Sequence, residues 1–132
     1  MLISKIKNPN ISQNLLSKGF TNLTDIQIKM LEIHKDKKDL LVTSQTGSGK
    51  TIAYFLSIQN EISSKRIKET GSPSVLIVAP TRELAIQVYE EAIWFFKGED
   101  IKVITTIGGM EIKKERKNLL NKFSHINRYA QV

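Results

Sequence analysis

The run SQTGSGKT, residues 44 to 51, restricts the fold more than any other stretch of the chain. A short apolar segment, DLLVTS over residues 39 to 44, leads into it, and the apolar, helix-length IAYFLSIQNEI, residues 52 to 62, follows. In a strand–glycine turn–helix unit, backbone N–H groups at the helix N-terminus can wrap an anion. Gly47 and Gly49 permit the tight turn and the close approach of backbone to ligand. Lys50 stands where an ammonium reaches β and γ phosphates, and Thr51 where a hydroxyl ligates Mg²⁺. The general pattern G-x-x-x-x-G-K-[ST] places glycine at position 44, where this chain has Ser44. The expectation is a nucleoside triphosphate site.

The rest of the chain alternates in the same way. A helix is expected over residues 11 to 18, ended by Gly19, and a second begins after Thr24 as a possible N-cap, with Ile26, Met30 and Ile33 on one face. Residues 65 to 74 read as a polar loop. The strand VLIVA, residues 75 to 79, follows, closed by Pro80. RELAIQVYEEAIWFFK, residues 82 to 97, reads as a helix ended by Gly98, before a strand at residues 101 to 107. Trp94, Phe95 and Phe96 are expected in the core. Residues 111 to 123 read as a charged helix, and SHINRYAQV, residues 124 to 132, carries no clear element. Strands alternating with helices imply βαβ crossovers and a parallel sheet covered on both faces, so the expected class is α/β.

Composition narrows the setting. At 132 residues and 40% hydrophobic content the chain can bury a core, and no apolar run is long enough to span a bilayer. The absence of cysteine excludes a disulfide scaffold and a thiol nucleophile and fits a reducing compartment, and MLISKIKNPN lacks a signal-peptide pattern. A cytoplasmic protein with no membrane partner is expected. The formal net charge of +7 favours polyanions. Lys35, Lys37 and Lys38, and the cluster Lys113, Lys114, Arg116 and Lys117, read as solvated faces rather than a binding surface. His34 and His125 have no metal-ligand spacing.

SQTGSGKT resembles the A-x-T-G-S-G-K-T loop of DEAD-box ATP-dependent RNA helicases, with serine for the usual alanine. GFTNLTDIQ, residues 19 to 27, is similar to that family's Q motif, PTRELAIQ, residues 80 to 87, to its motif Ia, and Gly108-Gly109 falls where its GG motif stands. The resemblance implies the N-terminal part of the first RecA-like domain: a partial RecA-like (P-loop) parallel sheet with flanking helices, truncated at the C-terminus. Residues 1–38 would form the Q-motif helical region and residues 39–132 the incomplete ATP-binding domain. It further implies that Gln27 reads the N6 and N7 edge of adenine through an amide that both donates and accepts. Thr46, Gly47, Ser48, Gly49, Lys50 and Thr51 would hold ATP, with Lys50 and Thr51 in the catalytic machinery and Thr51 on Mg²⁺. Pro80, Thr81, Arg82, Gly108 and Gly109 would touch the RNA backbone without reading its sequence.

Several positions depart from the family's pattern. No aromatic residue precedes Phe20 to stack on adenine, and Leu23 and Asp25 replace two prolines usual around the Q-motif threonine. Asp-Glu-Ala-Asp and Ser-Ala-Thr runs do not occur in the 132 residues, and INRYAQV stands where Thr-Pro-Gly-Arg is expected. Codons for Asn127 to Ala130, read one base later, can spell Ile-Gly-Thr-Pro. A frameshifted helicase gene and an intended short product both remain open. The expected function is ATP and RNA binding without helicase activity by this chain alone, with a complementing C-terminal helicase fragment as a candidate partner. The alternatives are a non-catalytic binding fragment and a decayed gene product.

Overall fold

The computed structural model describes residues 1–33, 39–63, 74–107 and 129–131. Among these, helices α1 (Pro9–Ser17), α2 (Asp25–Ile33), α3 (Lys50–Ser63) and α4 (Arg82–Phe95) accompany strands β1 (Val75–Leu76), β2 (Lys102–Ile104) and β3 (Tyr129–Gln131). The chain packs as two units. One comprises Met1–Asn60 with Phe95–Lys97, and the other Glu61–Trp94 with Gly98–Val132.

In the first unit, α1 starts two residues before the expected position because Asn8 and Pro9 form a strong start signal. The Asn8 Oδ1 accepts the N–H groups of Asn10 and Ile11 at 3.0 and 3.2 Å, and Pro9 occupies the first turn, where it has no intrahelical donor to lose. Asn8→Ala should therefore lower stability by about 1 kcal/mol, read as a melting temperature lower by roughly 4 °C in calorimetry. Helix α1 closes in a Schellman arrangement: Phe20 N–H donates to the Leu15 carbonyl and Gly19 N–H to that of Leu16, with Gly19 at φ +83°. A three-residue 3₁₀ turn, Ile3–Lys5, precedes it.

The core of this unit collects Ile3, Ile11, Leu15, Leu56 and the aromatic trio Phe55, Phe95 and Phe96, all buried. The ring centroids of Phe55 lie 5.2 Å from Phe95 and 5.4 Å from Phe96, and those two rings meet edge to face at 4.8 Å. Phe95 and Phe96 thus lie in the core as expected, and Trp94 is half-buried. Asn14, in the middle of α1, donates through Nδ2 to the carbonyls of Phe95 and Lys97 at 3.0 and 2.8 Å. These carbonyls lie at the C-terminal end of α4, where intrahelical donors run out.

In the second unit the three strands form a parallel sheet in the order β1-β3-β2. The connection from β1 through α4 to β2 skips one position, which β3 fills: Val75 pairs with Ala130, and Val103 also pairs with Ala130 from the other side. Ala85, Val88 and Ala92 on α4, with Val103 and Ile104 on β2, are buried.

The α/β class is as expected, but the strands differ. No element is expected over residues 124 to 132, whereas Tyr129–Gln131 is the central strand. Tyr-Ala-Gln has no alternation to announce it, and its strand character comes from ladders on both sides. β1 covers two of the five residues expected, Val75 and Leu76, which pair with Ala130 and Gln131. Residues 39 to 44 form no strand: among the described residues none lies alongside to complete a ladder, and Leu40, Leu41 and Val42 are exposed, Leu41 at 95%. Among the described residues Leu76, on β1, and Val78, just beyond it, are 65% and 83% exposed. Residues 65–73 of the loop expected over 65 to 74, the helix at 111–123, both histidines and both lysine clusters lie outside the described residues.

Candidate functional site

The phosphate loop belongs to the first unit, and its shape follows from its glycines. Gly47 and Gly49 adopt φ +78° and +82°, the left-handed region in which a side chain is disfavoured. Between them Ser48 N–H donates to the Gln45 carbonyl, and Ala53 N–H donates to that of Gly49 as α3 begins. The first-turn N–H groups of α3 therefore point out of the loop with the positive end of a 14-residue helix dipole behind them. Lys50 folds its ammonium over the loop, donating to the carbonyls of Ser44 and Gln45 at 2.7 and 2.6 Å. Ser44, where the general pattern has glycine, donates from Oγ to the Ser48 hydroxyl at 2.6 Å. Thr51 is the second residue of α3, one place after Lys50.

Gln27 is 1% exposed and joins two segments. Its Oε1 accepts the Thr24 N–H at 2.9 Å, and its Nε2 donates to the Gly49 carbonyl at 3.2 Å. Thr24 adds a second tie, donating from its hydroxyl to the Ser48 carbonyl at 3.1 Å. The Thr24–Gln27 spacing is that of a capping box, and half of one is formed: the glutamine reaches back to the N-cap N–H, while the threonine hydroxyl turns to the phosphate loop instead. A Cβ on Gly49 would collide with the Gln27 amide nitrogen, so the absence of a side chain there is what lets the two segments meet. A groove of about 550 Å³ runs beside the loop, lined by Thr24, Ile26, Met30, Leu41, Ser44 and Ser48 among others. Its walls contain neither Gln27 nor Lys50.

In the second unit, Pro80, Thr81 and Arg82 are exposed at the start of α4. Thr81 caps that helix, its Oγ1 accepting the Leu84 N–H at 3.2 Å, which leaves the hydroxyl hydrogen available to a ligand. A depression of about 380 Å³ opens here between the segment Leu76–Arg82 and Thr106-Ile107. Gly108 and Gly109 lie outside the described residues.

The structure thus brings Gln27 onto the phosphate loop and sets Pro80, Thr81 and Arg82 together at a helix terminus. Sequence reading missed the Thr24 hydroxyl, the Ser44–Ser48 pair and Asn14. The T-x-x-Q spacing was a usable signal for the first, while neither of the others has a local pattern.

A sequence model of the DEAD/DEAH box helicase family matches residues 24–128. The chain belongs to the DEAD/DEAH box helicase family. It is 36% identical over 115 residues to the DEAD-box ATP-dependent RNA helicase CshC of Bacillus cereus, an overlap of 87% of this chain and 28% of that protein. Among solved structures of the family, a DEAD box protein from Methanococcus jannaschii matches with a TM-score of 0.76 and 26% identity, over 100% of this chain and 34% of that one. Prp28 from Chaetomium thermophilum, an RNA helicase bound to ADP, matches with a TM-score of 0.75 and 27% identity, over 94% of this chain and 30% of its own. These likenesses bear out the RecA-like α/β fold, and this DEAD/DEAH box chain spans about a third or less of the length of these relatives.

Proposed function

We propose that the chain binds ATP with Mg²⁺ in the first unit and RNA phosphates at the start of α4, as part of an ATP-dependent RNA helicase. The observation that carries the nucleotide half is the Gln27 bridge, which fixes a buried amide against the phosphate loop across 22 residues of sequence. The loop suits a triphosphate: two glycines in the left-handed region, the N-terminus of a long helix, an ammonium already directed over the loop, and the Thr51 hydroxyl beside it. Thr46, Gly47, Ser48, Gly49 and Lys50 would hold the phosphates, Thr51 the metal, and Gln27 the adenine edge. Mg²⁺, when bound, neutralises charge on the phosphate oxygens. The family, and the ADP carried by Prp28, support this reading. Displacement of a fluorescent ATP analogue tests it: saturable binding that unlabelled ATP competes away is expected, and none at millimolar nucleotide would refute it.

For the RNA half, the exposed Arg82 guanidinium, the Thr81 hydroxyl and the helix N-terminus form a sequence-independent phosphate contact. Arg82→Ala should weaken binding of single-stranded RNA about fivefold at low salt and lower the salt-dependence slope by about one charge. An unchanged slope in filter binding would remove the arginine from the interface.

As a chain of 132 residues lacking Asp-Glu-Ala-Asp and Ser-Ala-Thr runs, it would bind ATP without turning it over, because phosphoryl transfer needs carboxylates to position metal and water. RNA-stimulated phosphate release by the purified chain would contradict this. Sequence carrying the remaining helicase motifs, whether on the same polypeptide or on a second one, is the partner we propose, and the exposed apolar segment Leu40 to Val42 is a surface it could cover.

A further inference from the structure

We propose that the N-terminal residues Met1–Ile3 form a strap that fixes the Q-motif loop and thereby sets base selectivity. The inference rests on the nucleotide site proposed above. Leu2 and Asn22 form an antiparallel bridge. On either side of it, Ile3 N–H donates to the Thr21 carbonyl at 3.4 Å and Leu23 N–H donates to the Met1 carbonyl at 3.0 Å. The strap is itself anchored. Ile3 is fully buried, and its carbonyl accepts the hydroxyl of Ser12, a side chain of α1 that is 9% exposed, at 3.1 Å.

Leu23 stands where the family's Q motif has proline, and a proline has no N–H to donate. The substitution therefore exchanges a ring-locked backbone for a hydrogen bond that only a non-proline residue makes. From Leu23 the path runs on within the same unit. The next residue, Thr24, donates its N–H to Gln27 Oε1, and Gln27 Nε2 donates to the Gly49 carbonyl. With the strap gone, the loop moves, the Thr24 N–H leaves Oε1, and the Gln27 amide is free to turn. The phosphate loop keeps its own glycine turns and the Lys50 bonds. Met1, Leu2, Ser12 and Leu23 act through Gln27 and are positioning residues.

This separates two quantities that a general loss of structure would change together. Affinities for Mg·ATP, Mg·GTP and inorganic tripolyphosphate are measured by calorimetry on four proteins: the natural chain, a chain lacking Met1 and Leu2, Leu23→Pro, and the combination. The deletion keeps the buried Ile3. It is expected to lower the ATP-over-GTP ratio about fivefold, the worth of one or two net hydrogen bonds, with tripolyphosphate affinity unchanged within twofold. In the Leu23→Pro background the same deletion should change the ratio less than about twofold, because the bond to the Met1 carbonyl is already absent. A ratio that survives the deletion, or a deletion as damaging with proline as without, overturns the strap. Should the shortened chain fail to fold, Ser12→Ala decides by the same ratio, with a fall of about threefold expected and no change contradicting it. Failure of the natural chain to bind ATP at all would refute the nucleotide site itself, an outcome distinct from retained selectivity in the variants.

Discussion

Replacing Lys50 with alanine is expected to weaken ATP binding at least about fiftyfold, in keeping with the loss of charge-assisted hydrogen bonds to phosphate, each worth about 1.5–3 kcal/mol. Two effects combine. The variant loses the ammonium that would meet the β and γ phosphates, and it loses the donors that draw the Ser44 and Gln45 carbonyls toward the loop interior. Without the ammonium, those two carbonyl oxygens stand unneutralised near the anion that the helix N-terminus attracts. Lys50 is partly exposed and buries no apolar surface with its head group, so the fold should persist, with a circular dichroism spectrum like that of the natural chain. A Lys50→Ala protein that titrates ATP like the natural chain would remove the loop from nucleotide binding.

Gly49→Ala should cost more stability than the same change at Gly47. At φ +82° an alanine costs about 1–2 kcal/mol in backbone strain, and here the new Cβ also runs into the Gln27 amide nitrogen. A total of about 2–3 kcal/mol, or roughly 10 °C in melting temperature, is expected together with loss of nucleotide binding. Gly47→Ala provides the comparison. Gly47 has nearly the same φ, but among the described residues nothing lies within 4 Å of its added Cβ, so only the backbone cost applies. Adding Gln27→Ala to Gly49→Ala relieves the collision and should recover part of the stability, a coupling that independent sites would not show. Equal melting temperatures for the two glycine variants would mean that Gln27 does not pack on Gly49.

The sequence announced what is local. Asn8-Pro9, the glycines that end α1 and α4, and the apolar periodicity of α3 and α4 each act within a few residues, and the structure follows them. The phosphate loop was legible for the same reason, since turn, charge and helix start occupy eight consecutive positions. What could not be read depends on partners far along the chain. Tyr129–Gln131 becomes the central strand because β1 and β2 flank it, whereas the far more apolar residues 39 to 44 form none. Asn14 has no local pattern to single it out, yet it holds carbonyls more than 80 positions away. Gln27 lay between these cases. The resemblance implies an adenine-facing role for it, and Thr24 is expected only as an N-cap, but the bond to Gly49 required the two segments to be seen together.

The most direct measurement is a two-dimensional ¹H–¹⁵N NMR titration of the chain with Mg·ATP. The account predicts saturable shifts concentrated on the backbone amides of Gly47, Ser48, Gly49, Lys50 and Thr51 and on the side-chain amide of Gln27, with GTP moving the loop amides but not Gln27. Shifts scattered over other surfaces, or a Gln27 amide that ATP leaves in place while the loop responds, would contradict it.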